Sequence, residues 1–204
     1  MRRNPEIRIQ YARLLDKFFK QLFSLAQEQK QIADDQTYNS PEQIVEKIGA
    51  FKEAWSKRQA VLSFMQKTLE LDFYQPVIDV NVVGWIKHAI SAPIVISSTK
   101  EVADFTDSLT HELLHRLISD NQQKIRIRDI LQSWFPDETI LCRNHVIVHA
   151  LLKKIYLEFL DEPERLAVNR ARDKKAPDYM RAWGLVEEIG EAAIIEKFKQ
   201  KYKD

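Results

Sequence analysis

Two pairs of histidines in this sequence have a spacing that suits metal binding. His111 and His115 belong to the segment HELLH, and His145 and His149 belong to the segment HVIVH. Because four residues advance an α-helix by about 400°, the two members of each pair point in nearly the same direction. Neutral imidazole nitrogens one helical turn apart can bind a single Zn²⁺ ion. Two helices that face each other could therefore aim four imidazoles at one point.

A glutamate directly follows the first histidine of the first pair. Glu112 would lie close to the ion without binding it, so it could take a proton from metal-bound water and pass it to a leaving group. Zinc lowers the pKa of such water towards about 7, which makes hydroxide available at neutral pH. A hydrolytic site also needs a third protein ligand and an open fourth position. His145 and His149 are both candidates for the third ligand.

This arrangement resembles the zincin metallopeptidases, and most closely the thermolysin-like gluzincins. In that family a strand precedes the H-E-x-x-H helix, and a second helix carries asparagine-glutamate with an aspartate four residues after the glutamate. In this chain Asn144, His145 and His149 have the same spacing, with histidine at both acidic places. The resemblance covers roughly residues 76–160. It implies that an extended peptide pairs with the edge of a strand at 93–97.

The resemblance also implies a role for each histidine of the second pair. His145 takes the place of the third ligand, and His149 that of a neighbour which orients a ligand or donates a proton. We therefore draw the predicted zinc ligands from His111, His115, His145 and His149. The predicted catalytic residues are Glu112, as general base, and His149, as a group that stabilises the oxyanion.

Several other polar residues could contribute, and each has a structural alternative. Cys142 could close the site as a fourth ligand, or it could be a buried, inert cysteine. Asp104 and Asp107 could accept an imidazole N–H, although solvated acids near a helix start are the favoured interpretation. Three further residues could stabilise an oxyanion but are expected at the core edge or the surface: Tyr156, Tyr179 and Arg181. His88 is expected at the surface or in packing.

Composition excludes some classes of protein and leaves others open. The chain has 204 residues, is 45% hydrophobic and 30% charged, and carries a net charge of +1. We expect a soluble globular protein that binds neither nucleic acid nor membrane. The resemblance to metallopeptidases implies that its substrate is a peptide or protein. One cysteine excludes an internal disulfide framework and fits a reducing, cytoplasmic compartment.

The hydrophobic pattern predicts a mainly α (α+β) fold in which few strands form a small sheet. Only four glycines are present, which disfavours a fold built on many tight turns. We predict a single domain over 1–204, made of an N-terminal helical hairpin at 1–72 and a zincin-like metal-binding region at 73–204. The hairpin would begin with a helix capped by Asn4 and continue with a second helix from Ser40. Strands are predicted at 76–84 and 93–97, and helices at 98–119, near 125–135, at 138–160, from 163, at 177–190 and at the C-terminus.

Three functional hypotheses remain open from the sequence. The first is a zinc-dependent hydrolase, either a small metallopeptidase or an amide hydrolase with another substrate. The second is a non-catalytic protein in which four histidines, with or without Cys142, saturate a structural zinc ion. The third is a metal-free helical protein whose N-terminal hairpin presents a binding face.

Overall fold

The structure is a computed structural model that describes residues 3–29 and 38–201. These residues fall into two compact units. The sheet unit contains residues 5–29, 38–59 and 75–112, and the helical unit contains residues 3–4, 60–74 and 113–201. The described chain is mainly helical with a small mixed sheet, which confirms the predicted fold class. The prediction of a single domain over 1–204 stays a prediction.

The sheet unit is built on four strands in the order β1-β2-β4-β3. Three of them are parallel, β1 (Glu6–Tyr11), β2 (Val77–Val83) and β4 (Ile94–Ser97), and the short β3 (Ile90–Ser91) runs antiparallel to β4. The central strands β2 and β4 are rich in valine and isoleucine, and most of their side chains are buried. The two strands predicted from the sequence are confirmed.

β4 does not lie at an edge of the sheet. It pairs with β2 along its whole length, and β3 pairs with its other side at Ile94 and Val95. β3 therefore takes the position that a peptide would need beside Ile94 and Val95, and peptide pairing along this strand stays a prediction. The two-residue strand β3 lies in a stretch too short to be assigned from its sequence pattern.

Two helices of the sheet unit precede β2 in the chain, α1 (Arg13–Glu28) and α2 (Pro41–Arg58). Ser40 caps α2: its side chain accepts a hydrogen bond from the Gln43 amide, and the Gln43 side chain accepts one from the Ser40 amide. Phe51 and Trp55 of α2 are buried. Phe51 stacks on Phe105, with ring centroids 4.0 Å apart. The helix start predicted at Ser40 is confirmed.

The N-terminal segment differs from the predicted helical hairpin. Residues 6–11 form β1, and Asn4 instead binds the side chains of Ser63 and Gln66. A helix was predicted there because an apolar stripe recurs every three or four residues, at Ile7, Tyr11, Leu14, Phe18, Leu22 and Leu25. Ile7 and Tyr11, spaced by four, fit both the helical period and the strand period of two. The second helix also ends at Arg58, so the predicted hairpin at 1–72 contains a strand and three helices. Four residues of the stripe are exposed on α1: Leu14, Phe18, Leu22 and Leu25.

Helix α4 (Val102–Asp120) follows β4 and contains the boundary between the two units, which falls between Glu112 and Leu113. The other helical elements of the helical unit are α3 (Ala60–Leu69), α5 (Gln122–Ile125), α6 (Ile127–Trp134), α7 (Ile140–Lys154), a π-helical turn (Ile155–Phe159), α8 (Pro163–Asp173), α9 (Pro177–Ile189) and α10 (Glu191–Lys201). α7 is central to this unit, because α9 and α10 both pack on it and residues 145–152 are all buried.

The helix boundaries in this unit follow local signals in the sequence. Pro163 and Pro177 begin α8 and α9, as predicted, because proline fits the first turn of a helix. Gly190 ends α9 with a positive φ of 89°, which glycine adopts without steric cost. Among the helices of residues 3–29 and 38–201, none has the length and apolarity required to span a bilayer.

Candidate metal centre

Helix α4 carries the first histidine pair and the glutamate between them. His111 and His115 lie one turn apart on the same helix, and both side chains are partly buried. The backbone of this continuous helix fixes the position of His111 relative to His115. The predicted placement of H-E-x-x-H on a helix that follows a strand is confirmed.

Helix α7 positions the second pair, and its N-terminus is fixed by a cap. The Thr139 side chain accepts a hydrogen bond of 3.0 Å from the Cys142 amide. One turn into the helix, the Nδ1 atom of His145 lies 2.8 Å from the carbonyl oxygen of Leu141. A carbonyl oxygen only accepts, so Nδ1 carries the proton and Nε2 keeps a lone pair for a ligand. A backbone partner of this kind also fixes the orientation of the ring.

The Nε2 atom of His145 faces the Nε2 atom of His115. Their Nε2 atoms lie 3.3 Å apart. Together with His111 they form a group in which each residue offers one ligand atom, and all of these atoms lie within 4.8 Å of one another. Two nitrogens bound to one tetrahedral zinc at 2.0–2.1 Å are themselves about 3.3–3.4 Å apart. Three close histidines could therefore hold a metal ion.

Burial favours the neutral form of two of these imidazoles. Burial, followed by the neighbouring His145, lowers the pKa of His115 to about 3. The pKa of His145 is also lowered by burial, although the Leu141 carbonyl and Asp178 act in the opposite direction. Neutral imidazole is the form that binds metals, so both side chains are in the protonation state that a metal site requires.

Glu112 is a buried carboxyl group with one hydrogen-bond donor from the sheet. It is 7% exposed, and the Ser91 hydroxyl donates to its Oε2 atom over 2.5 Å. Burial raises the pKa of Glu112 to about 7, against the opposing effects of the Ser91 hydrogen bond and the Lys100 charge. A carboxyl group with a pKa near neutrality can both accept and release a proton, which is the property of a general base.

His149 lies outside the group of three. Its buried ring stacks on Trp183, with centroids 4.2 Å apart and planes at 13°, and contacts the edge of Tyr179. Its Nε2 atom lies 3.8 Å from Oδ2 of Asp173, which accepts a hydrogen bond from the Trp183 indole. Burial lowers the pKa of His149 well below its usual value. Its predicted roles as ligand and as oxyanion stabiliser stay predictions.

The other candidates are distributed between the site and the surface. Tyr179 stacks on His145 with centroids 4.0 Å apart, whereas Arg181 is exposed and paired with Glu138. Cys142 is buried, and burial together with Glu138 raises the pKa of its thiol to about 12, so it is neutral. Within the described residues it is not part of the histidine group.

Two other predictions concern acids and the remaining histidine. Asp107 is 1% exposed and forms an ion pair with Arg58 at 3.3 Å, so the expectation of a solvated acid is wrong for this residue. Asp104 is partly exposed, Tyr156 is buried, and His88 is at the surface.

Two features near the site were not found by reasoning from the sequence. Ser91 lies on the two-residue strand β3, and no motif marks it. Trp183 and Tyr179 are spaced by four residues on α9, which matches the spacing of His149 and His145 on α7. The matched spacing could have indicated that the two aromatic residues contact the two histidines. That inference also requires knowing that α9 packs on α7.

Comparisons of the chain with protein-family models, with curated proteins and with solved structures find no match. The function must therefore be argued from the site itself.

Proposed function

We propose that this chain is a zinc-dependent hydrolase of the metallopeptidase class, with Glu112 as general base. The observation that carries the proposal is the group formed by His111, His115 and His145. Three histidines with a glutamate beside the first are the donor set of a catalytic rather than a closed structural zinc site. The gluzincin-like order of strand, H-E-x-x-H helix and second ligand helix adds support to this class.

The residues have distinct tasks in the proposed reaction. His111, His115 and His145 would hold the ion, which supplies Lewis acidity and lowers the pKa of water. Glu112 takes a proton from the attacking water and delivers it to the leaving amine. Ser91 occupies one oxygen of Glu112, so the other oxygen is the one that moves the proton. The described contacts of His149 are with aromatic rings and Asp173, and no step is assigned to it.

Zinc content and hydrolysis test the two halves of the proposal separately. Elemental analysis of untagged protein should find about one zinc per chain in the wild type and in His88→Ala, a surface control. Glu112→Gln should keep the zinc but lose about 10²–10⁴-fold in the rate of cleavage of a peptide library. Glu101→Gln, the same change at an exposed position before α4, should keep both.

Two results would contradict the proposal in different ways. A wild-type chain that takes up no zinc, even when zinc is supplied in excess, removes the metal site altogether. A chain that binds zinc, but whose hydrolysis is absent or unaffected by Glu112→Gln, has a structural ion instead, as in the second hypothesis drawn from the sequence.

A further inference from the structure

The outer edge of β1 carries backbone groups that pair with no other described strand. β1 is the first strand of the sheet and pairs only with β2 among the described strands. The Glu6 amide donates to the Pro76 carbonyl and the Ala12 amide donates to the Val82 carbonyl, so even-numbered residues turn their backbone groups towards β2. Backbone groups alternate in direction along a strand. The amides and carbonyls of Ile7, Ile9 and Tyr11 therefore face outward.

A groove of about 440 Å³ runs beside this edge. Residues 6–10 line one side, and Lys52, Trp55 and Gln59 line the other. The groove leaves room beside the outward backbone groups of β1, which a further strand can use.

The charges on β1 indicate which strand would fit. Glu6 and Arg8 are exposed, lie two residues apart and therefore share one face of the strand. Charged residues on an edge discourage pairing with most strands. A second copy of β1 is different, because opposite charges meet when the two copies run antiparallel about Ile7. Glu6 of each copy then lies opposite Arg8 of the other, in two directly opposed pairs.

We propose that two copies of this chain associate through their β1 edges in this register. The Ile7 residues of the two copies oppose each other and exchange both backbone hydrogen bonds, since their groups face outward. On either side of this pair, Glu6 of one copy lies opposite Arg8 of the other in a pair that exchanges no backbone hydrogen bonds. Opposed side chains come closest in pairs of this kind. Arg8 already pairs with Asp79 of β2 at 2.9 Å, so in the dimer it lies between two carboxylates. The result is one continuous sheet of eight strands with two-fold symmetry.

Charge reversal with rescue tests the register directly. Sedimentation equilibrium should find a dimer for the wild-type chain, with a dissociation constant that rises at least about tenfold in Glu6→Arg and in Arg8→Glu. An equimolar mixture of these two variants should form a heterodimer, because both opposed pairs are again of opposite charge. The Arg8–Asp79 pair is about half exposed, so its loss leaves the fold intact.

Two further variants separate the edge from general surface effects. Ile7→Pro removes the outward amide that the dimer uses and no amide that β2 uses, so it should give a folded monomer. Glu53→Arg makes the same charge change as Glu6→Arg at an exposed position of α2 outside the groove, and it should leave the dimer unchanged. Circular dichroism checks the fold of each variant.

Three outcomes would overturn the proposal. The first is a wild-type chain that stays monomeric at about 100 μM, which would leave the edge open to a strand from another protein. The second is a dimer that persists unchanged in Ile7→Pro, because it would use another surface. The third is a mixture of the two charge variants that fails to associate although the wild type does, because it would exclude the register. None of these results depends on zinc or on hydrolysis.

Discussion

The two histidine pairs have the same spacing but different surroundings. On α4, His111 and His115 both offer a nitrogen to the metal-binding group. On α7, His145 joins that group, whereas His149, one turn later, lies between Trp183 and Asp173. Two residues four apart on a helix share a direction, but a rise of about 6 Å separates them along the axis. That displacement is enough to place them in different environments.

Helix α9 accounts for the difference on α7. Its two aromatic residues repeat with the same spacing, so Tyr179 stacks on His145 and Trp183 stacks on His149. Tyr179 covers the face of the His145 ring, and the Nε2 atom at the ring edge lies 3.3 Å from Nε2 of His115. Trp183 instead covers the ring of His149, which has no exposed surface. The comparison shows that spacing sets the direction of a side chain and that the facing helix sets its surroundings.

The largest expected effect is on zinc affinity and separates the two histidines of α7. His145→Ala should lower the affinity by more than about 100-fold, because it removes a ligand. His149→Phe, which keeps an aromatic ring against Trp183, should change it by less than about threefold. Competition with a chelator of known affinity measures both. A large loss in His149→Phe with little in His145→Ala would reverse the assignment of the third ligand.

The next effect is on folding stability, and here the larger loss is expected from a change at His149. His149→Ala should lower the free energy of unfolding by about 2–4 kcal/mol, because it leaves a cavity against the buried Trp183. His149→Phe should cost less, since it fills most of the volume. Urea unfolding in the presence of a chelator measures these values without a contribution from metal. Equal stability of His149→Ala and the wild type would mean that the stacking seen here does not stabilise the fold.

The smallest expected effect is on zinc affinity and comes from Tyr179, whose ring packs on His145. Tyr179→Ala should weaken zinc binding by about tenfold, because His145 loses the surface that restricts its orientation. Tyr179→Phe keeps that surface and should bind zinc like the wild type. Isothermal titration with zinc compares the two variants. If Tyr179→Phe were as weak as Tyr179→Ala, the hydroxyl group rather than the ring would be the important feature.

Much of the fold could be predicted from local signals. Ser40, Pro163, Pro177 and Gly190 mark helix ends, because capping and proline or glycine geometry depend on neighbours in the sequence. β1 was not predicted, because Ile7 and Tyr11 are four residues apart and so also fit a helical pattern. Its strand conformation depends on pairing with β2, about 70 residues later in the chain.

The candidate site was predictable to a similar degree. The spacing predicted a group drawn from four histidines, and the structure brings three of them together, His111, His115 and His145. The sequence could not separate His145 from His149, because their difference comes from α9. It also could not identify Ser91, whose contact with Glu112 links residues 21 positions apart.

The π-helical turn at Ile155–Phe159 affects how this region tolerates changes in length. A π turn contains one residue more than an α turn, so a helix can absorb a single-residue insertion by forming one. Deleting one residue from this turn would restore the ordinary pitch and leave the histidines of α7 in place. The same deletion between His145 and His149 would rotate one of them by about 100° relative to the other. Natural variation in chain length should therefore be found in the turn and be absent from the five residues before Ala150.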